Sequence, residues 1–314
     1  MDLKNIKIFF FGTPYFAKEI LCQLLTNGLF VDWVITRPDK PSGRGRRMSF
    51  SEVKKISLEK KIKLAQFEKM DVQTIRFFRR EKPDLIITAA YGMILPKELL
   101  TLPKFGCLNF HASLLPKLRG PAPIQTALLN NEKETGITLM KMDELVDHGK
   151  IIAQEKVAIK PFDDFFSLEK KLISAADKML PHILEAYING KLEPNDQDHS
   201  KATFTKQIAK EQGRIFWTDF SAQEIYNRYR AFKQWPGVYS YFKGKKFFLE
   251  EIALLKKNSQ KRPGQVMKYD NYLAIQTKDQ MITIKKIKLA GKKTTNAKDF
   301  INGYPDFATT LLPN

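Results

Sequence analysis

Cysteine is scarce in this 314-residue chain, with Cys22 and Cys107 the only two. So few thiols exclude a disulfide-stapled scaffold and a zinc site built from cysteine alone. Cys22 falls in a helix-like pattern and Cys107 at the head of an apolar strand, so both read as buried thiols in a reducing compartment. Long hydrophobic runs are missing too. The longest, such as Ile8 to Phe11 and Leu85 to Ala90, fall far short of the roughly 17 to 25 residues of a membrane span. Gly12-Thr13-Pro14 also breaks the first apolar stretch before a signal-peptide core forms. These absences predict a cytoplasmic protein without membrane attachment. No G-x-G-x-x-G follows the first strand, which disfavours a nicotinamide cofactor, and there is no Walker loop, G-x-S-x-G elbow or H-x-x-x-H spacing. No metal is expected.

Acidic side chains are the minority, 34 against 53 Lys and Arg, for a net charge of +19. Residues 1–200 carry 31 basic and 25 acidic groups, whereas residues 201–314 carry 22 and 9, so two thirds of the excess lies in the last third. Such a face is the electrostatic footprint of a polyanion, most often nucleic acid, although a lysine-rich solubilising surface gives the same count. The apolar share of 43% is ordinary for a globular chain with a sizeable core. At roughly 100 to 200 residues per domain, the length suggests two domains.

The first two hundred residues alternate strand and helix signals. Ile6 to Phe11 is a continuous apolar run, as expected of a strand buried on both faces. Thr13 is expected to cap a helix with Pro14 in its first turn, after which Phe16, Ile20, Leu21, Leu24 and Leu25 recur at helical spacing up to Gly28. Strands over 31–36 and 85–89 and helices around 52–61 and 72–81 continue the rhythm of a doubly wound, mainly parallel α/β sheet, Rossmann-like in class. Residues 37–48 hold five basic residues, two prolines and two glycines without periodicity and read as a mobile surface loop. Arg44, Arg46 and Arg47, spaced by glycine, suit phosphate contacts that form on binding.

A helix over 163–189 should kink at Pro181. The polar, turn-rich stretch 190–206 then separates a domain over 1–189 from one over 207–314. The second domain opens with an S-x-x-E capping box, Ser221 and Glu224. It continues with period-two strands over 238–242, 246–255, 265–269, 272–276 and 281–289. Five short strands on a basic chain suggest a small OB-like β-barrel, a frequent nucleic-acid platform.

The densest chemistry lies in Gly106-Cys-Leu-Asn-Phe-His-Ala-Ser-Leu-Leu-Pro-Lys-Leu-Arg-Gly-Pro121. In extended backbone Leu108, Phe110 and Ala112 face one way and Asn109, His111 and Ser113 the other. An amide donor beside an imidazole suits a reacting carbonyl: Asn109 to stabilise an oxyanion, His111 to donate to it or move protons. A core histidine satisfied by backbone is the bland reading of His111, and Asn109 beside it weighs against that, because burying both without partners costs several kcal/mol. The strand Thr135 to Met142 ends in Asp143-Glu-Leu-Val-Asp147-His148-Gly149. A carboxylate from this loop could orient His111, and local pattern does not separate Asp143 from Asp147.

Over its whole length the chain resembles the bacterial methionyl-tRNA formyltransferases. The resemblance rests on Phe11-Gly-Thr-Pro14, Ser42-Gly-Arg-Gly-Arg-Arg47, Ala90-Tyr-Gly-Met-Ile-Leu-Pro96, the N-x-H-x-S-L-L-P-x-x-R-G block from Asn109 to Gly120, Thr135-Gly-Ile-Thr138 and Met142-Asp-Glu-Leu-Val-Asp-His-Gly149. It implies a catalytic trio of Asn109, His111 and Asp147, with 10-formyltetrahydrofolate as formyl donor and initiator Met-tRNA as partner. It implies further that Ser113, Leu114, Leu115 and Pro116 help bind the folate, and that backbone around Tyr91, Gly92, Met93, Ile94 and Leu95 lines a pterin pocket. Arg44, Arg46 and Arg47 fall where the family sets a basic loop against the tRNA acceptor end. The chain departs from the family pattern at His148, where Thr is usual. A monomer is expected. The rival readings are a folate-dependent formyltransferase acting on an amino sugar or nucleotide amine, and a non-catalytic RNA-binding protein.

Overall fold

The computed structural model describes residues 6–42, 47–270 and 272–314. They form two compact units, Met1–Pro123 with Lys133–Ile159 and Glu169–Lys206, and Gln207–Asn314 with Ile124–Glu132 and Lys160–Leu168. Two short segments of the first two hundred residues thus belong with the C-terminal unit.

In chain order the first unit begins β1 (Ile8–Gly12), α1 (Tyr15–Thr26), β2 (Val31–Thr36), β3 (Lys40–Ser42), β4 (Arg47–Ser49), α2 (Glu52–Glu59), β5 (Lys63–Gln66), α3 (Val72–Glu81), β6 (Leu85–Ala89), α4 (Lys97–Leu100) and β7 (Cys107–His111). After α5 (Pro123–Leu129) come β8 (Glu134–Lys141), β9 (Ile151–Ala158) and α6 (Phe165–Ile188). One seven-stranded sheet has the order β5-β2-β1-β6-β7-β8-β9, parallel from β5 to β7 and antiparallel beyond. Every residue of β1 and β6 is buried, as the unbroken apolar runs require of strands covered on both faces. The chain winds outward from β1 to β5 and then returns to β6 on the other side of β1. The switch point therefore lies between β1 and β6, where ligands bind in open α/β sheets. Gly12 ends β1 there because a Cβ would stand 2.6 Å from that of Ala17 and 3.1 Å from the Ala89 carbonyl.

Two local expectations need correction. Thr13 does not cap α1: Pro14 holds that position without a side-chain bond, and the Thr13 hydroxyl instead donates to the Tyr91 carbonyl across the switch point at 3.2 Å. The 37–48 stretch is not irregular throughout, because β3 and β4 pair antiparallel from Lys40↔Ser49 to Ser42↔Arg47. Its base is anchored by Lys54 on Asp39 at 2.5 Å and by Gln66 on the Arg37 carbonyl at 2.9 Å. α6 continues as one helix through position 181.

The second unit holds α7 (Ala222–Ala231), β10 (Tyr239–Phe242), β11 (Lys245–Leu255), β12 (Val266–Tyr269), β13 (Tyr272–Gln276), β14 (Met281–Leu289), β15 (Thr295–Asn296) and α8 (Ala297–Gly303). The Ser221–Glu224 capping box starts α7, with both reciprocal bonds made. The strands follow β10-β11-β14-β13-β12, all antiparallel, with β15 on β14, and form a half-barrel. Register shifts in β11 around Glu251 bend that long strand. Buried Trp217, Phe232, Phe247 and Phe307 fill the interior. Arg230, 2% exposed, reaches the Asp163 carbonyl at 3.2 Å and Asn131 Oδ1 at 3.2 Å, which binds both borrowed segments to α7.

Candidate active site

β7 carries Asn109 and His111 to the carboxyl end of the sheet, beside β6 and its following loop. Extended backbone places both side chains on one face, and there they meet one carboxylate. Asn109 Nδ2 donates to Asp147 Oδ1 at 3.4 Å, and His111 Nδ1 lies 3.5 Å from the same oxygen. The Thr88 hydroxyl on β6 donates to Asn109 Oδ1 at 2.8 Å, which orients the amide with its nitrogen toward the carboxylate. A second Nδ2 hydrogen has no partner among the described residues. His111 is 6% exposed, and its Nε2 lies 3.0 Å from the Leu118 carbonyl, so both ring nitrogens face oxygens.

Asp147 is held from several sides. Its Oδ2 accepts from the Gly120 N–H at 2.7 Å, and its backbone is left-handed at φ +49°, a region that non-glycine residues rarely occupy. Gly120 takes φ +109° in a space where a Cβ would stand 2.8 Å from Thr205 Oγ1; glycine alone lets its N–H face the carboxylate. Asp143 points away from the trio. Its carboxylate meets His148 Nδ1 at 2.6 Å, and the His148 ring stacks on His199 with centroids 4.0 Å apart. Side-chain placement therefore separates the two aspartates that local pattern leaves equivalent.

The loop after β6 is pinned by two of its own residues. Tyr91 and Leu95 enter the core with Phe9, Phe11, Phe78 and Leu99, and Tyr91 meets Phe11 edge-on at 5.2 Å. Burial pushes the Tyr91 hydroxyl up to about 12, and no partner for it is present among the described residues. Between them Gly92 and Ile94 face outward, Ile94 75% exposed, with Met93 half-buried. This edge of backbone and apolar side chains, beside Asn109, is suited to a flat heteroaromatic ligand. The turn after β7 is internally satisfied: Ser113 Oγ donates to the Lys117 carbonyl at 2.6 Å, and the Leu115 carbonyl accepts from Gln154 at 2.9 Å. Leu115 is buried, with Leu114 and Pro116 half-buried. Arg44 and Arg46 lie outside the described residues, and Arg47 is described only by its backbone on β4.

Sequence reasoning missed Thr88, the backbone groups of Leu118 and Gly120, and the pair Arg119 and Gln197. The R-G ending of the motif pointed to the first of that pair, but no local pattern marked Gln197. Among the described residues there is no group of three or more His, Cys, Asp or Glu side chains that could hold a metal, and no helix long and apolar enough to cross a membrane.

In the second unit Arg214 lies over the half-buried Phe216 at 4.7 Å and Arg228 over the half-buried Phe220 at 4.1 Å, while Lys246 covers the buried Tyr239 at 3.6 Å. An open cleft of about 390 Å³ on this unit is lined by Lys285, Lys286 and Lys298 with Tyr272 and Glu251.

Residues 4–184 match the model of the formyl transferase family, and residues 207–305 that of the formyl transferase C-terminal domain. The chain belongs to the formyl transferase family. Within it, a methionyl-tRNA formyltransferase from Caldicellulosiruptor saccharolyticus is 40% identical over 303 residues, covering 95% of this chain and 96% of that protein. The methionyl-tRNA formyltransferase of Thermotoga maritima is 38% identical over 302 residues, 95% of each chain. Among solved structures, HypX from Aquifex aeolicus in complex with tetrahydrofolic acid matches with a TM-score of 0.67 at 18% identity, over 98% of this chain and 48% of that one. This chain thus spans about half the length of HypX. An N-formyltransferase from Helicobacter canadensis, in complex with folinic acid and dTDP-3-aminofucose, matches with a TM-score of 0.64 at 21% identity, over 90% of this chain and 99% of that one. At these identities the two structures share the fold.

Proposed function

We propose that this enzyme transfers the formyl group of 10-formyltetrahydrofolate to the α-amine of methionine on initiator Met-tRNA. The observation that carries the reading is the convergence of Asn109, His111 and Asp147 at the switch-point end of the sheet, in a chain about 40% identical end to end to methionyl-tRNA formyltransferases. The neutral amine attacks the formyl carbon, and the carbonyl electron pair moves to oxygen. Collapse of the tetrahedral intermediate breaks the bond to N10, and the proton shed by the amine ends on N10. Asn109 supplies its second Nδ2 hydrogen to the oxyanion, where a fixed donor in a water-poor site acts most strongly. Asp147, in contact with both partners, orients His111 for proton movement. Donation from His111 Nε2 to the oxyanion requires exchange of its Leu118 carbonyl partner.

Tyr91, Gly92, Met93, Ile94 and Leu95 form the pterin edge, and the turn Ser113, Leu114, Leu115 and Pro116 supports the folate. The turn's internal hydrogen bonds favour a shaped wall over direct polar contact. Arg44, Arg46 and Arg47 meet phosphates at the acceptor end of the tRNA. The cation-faced rings of the second unit add a surface of the same affinity, since stacked Arg and aromatic groups favour nucleic acid. The enzyme works as a monomer in the cytoplasm. The test is transfer of labelled formyl from 10-formyltetrahydrofolate to purified initiator and elongator Met-tRNA. Formylation of the initiator alone is expected; folate binding without formylation of either tRNA would redirect the search to amino-sugar or nucleotide amines.

A further inference from the structure

We propose that Gln197 is a positioning residue of this reaction, holding Asp147 in its left-handed conformation through the carbonyl side of its backbone. The proposal rests on the catalytic reading of Asp147. Gln197 is 5% exposed and lies in the stretch whose composition reads as a linker. Its Nε2 donates to two carbonyls at once, Asp147 at 3.0 Å and Gly149 at 2.7 Å. Its Oε1 accepts from Arg119 Nε at 3.2 Å and Nη2 at 2.6 Å. A guanidinium has only donors and a carbonyl only accepts, so the amide has one workable orientation.

The contacts close a circuit. Arg119, 4% exposed, precedes Gly120, whose N–H holds the Asp147 carboxylate; its guanidinium holds Gln197, which holds the Asp147 carbonyl. The stretch around Gln197 is itself fastened, by Arg119 N–H on the Thr203 carbonyl at 2.9 Å, Thr205 N–H on the Arg119 carbonyl at 2.7 Å, and Asn195 paired with Ile151. Asp147 occupies a conformation that an L-residue seldom adopts, and hydrogen bonds at both ends of it set where the carboxylate stands. Gln197 touches none of the trio's side chains, so its effect on turnover passes through the backbone of Asp147.

The test compares the full-length protein with Gln197→Glu, Gln197→Met and Asp147→Asn in steady-state formylation and thermal unfolding. A carboxylate in place of the amide would keep both guanidinium contacts, and so the fastening of the stretch, but lose the two N–H donors. Gln197→Glu is expected to fold with a lowered melting temperature, because its second oxygen faces the Asp147 and Gly149 carbonyl oxygens. Its kcat should fall by about tenfold or more at a temperature where the variant is fully folded, the scale of a displaced catalytic group. KM for Met-tRNA and for the folate should stay within about twofold. The proposal is overturned if Gln197→Glu or Gln197→Met turns over at the parent rate while Asp147→Asn is impaired, or if the loss appears in KM alone. Parent-level turnover by Asp147→Asn instead removes the catalytic reading beneath it, whatever the Gln197 variants do.

Discussion

Asn109 illustrates how little of a reactive group's behaviour lies in its identity. The proposed oxyanion role depends on orientation: the Thr88 hydroxyl fixes the amide oxygen at 2.8 Å and leaves the nitrogen toward Asp147. Replacing Asn109 with Ala is expected to lower kcat by at least ~10²-fold, the scale of a lost oxyanion donor; near-normal turnover would show that the oxyanion is stabilised elsewhere. Thr88→Val keeps the shape but removes the donor, so the amide loses its preferred orientation. A fall in kcat of about tenfold, with folding intact, is expected. Retention of full kcat would mean that Asp147 alone orients Asn109.

Among the elements, α6 carries a cost and α7 a gain, both measurable. Glu169 on α6 is 5% exposed, and burial, with a contribution from Glu19 on α1, pushes its carboxyl from 4.5 to about 7. The native state therefore holds this proton more tightly than the unfolded chain. Below about pH 4.5 both states are protonated and nothing is lost; stability then falls as pH rises toward 7 and stays lowered above it. Glu169→Gln should accordingly add about 3 kcal/mol at pH 8 and only a few tenths at pH 4.5. Urea unfolding at the two pH values checks this, and an equal gain at both would show that ionisation is not the cause. At the start of α7, Ser221 caps the Glu224 N–H at 3.2 Å while Glu224 returns the contact to the Ser221 N–H at 2.8 Å. Ser221→Ala is expected to lose about 1 kcal/mol, read in the same assay.

At the scale of the whole molecule, the net charge of +19 and its concentration after residue 200 predict a salt-sensitive association with tRNA. Each phosphate neutralised releases condensed counterions, so affinity falls steeply as salt rises. Raising salt from about 50 to 200 mM should weaken Met-tRNA binding at least about tenfold while the KM for the folate changes much less. A salt-independent tRNA affinity would reduce the lysines to a solubilising coat.

Periodicity and turn chemistry make most elements legible in the order of the residues alone. The buried runs of β1 and β6, the amphipathic α3 and the capping box of α7 are written in neighbouring residues, because local geometry is what each pattern encodes. The N-x-H spacing likewise puts Asn109 and His111 on one face through the two-residue repeat of a strand. Other features depend on groups distant in the chain. Thr13 is drawn from its capping role to a carbonyl 78 positions away, and segments near residues 124 and 160 join a unit built mainly from the C-terminal third. Asp147 is separated from Asp143 by the Gly120 N–H, and Gln197 is set between Arg119 and two carbonyls of the Asp147 loop. The sequence by itself determined most of the elements and which residue types each carries. Only the tertiary structure decided which polar groups meet, because hydrogen bonds between side chains far apart in sequence leave no periodic trace in it.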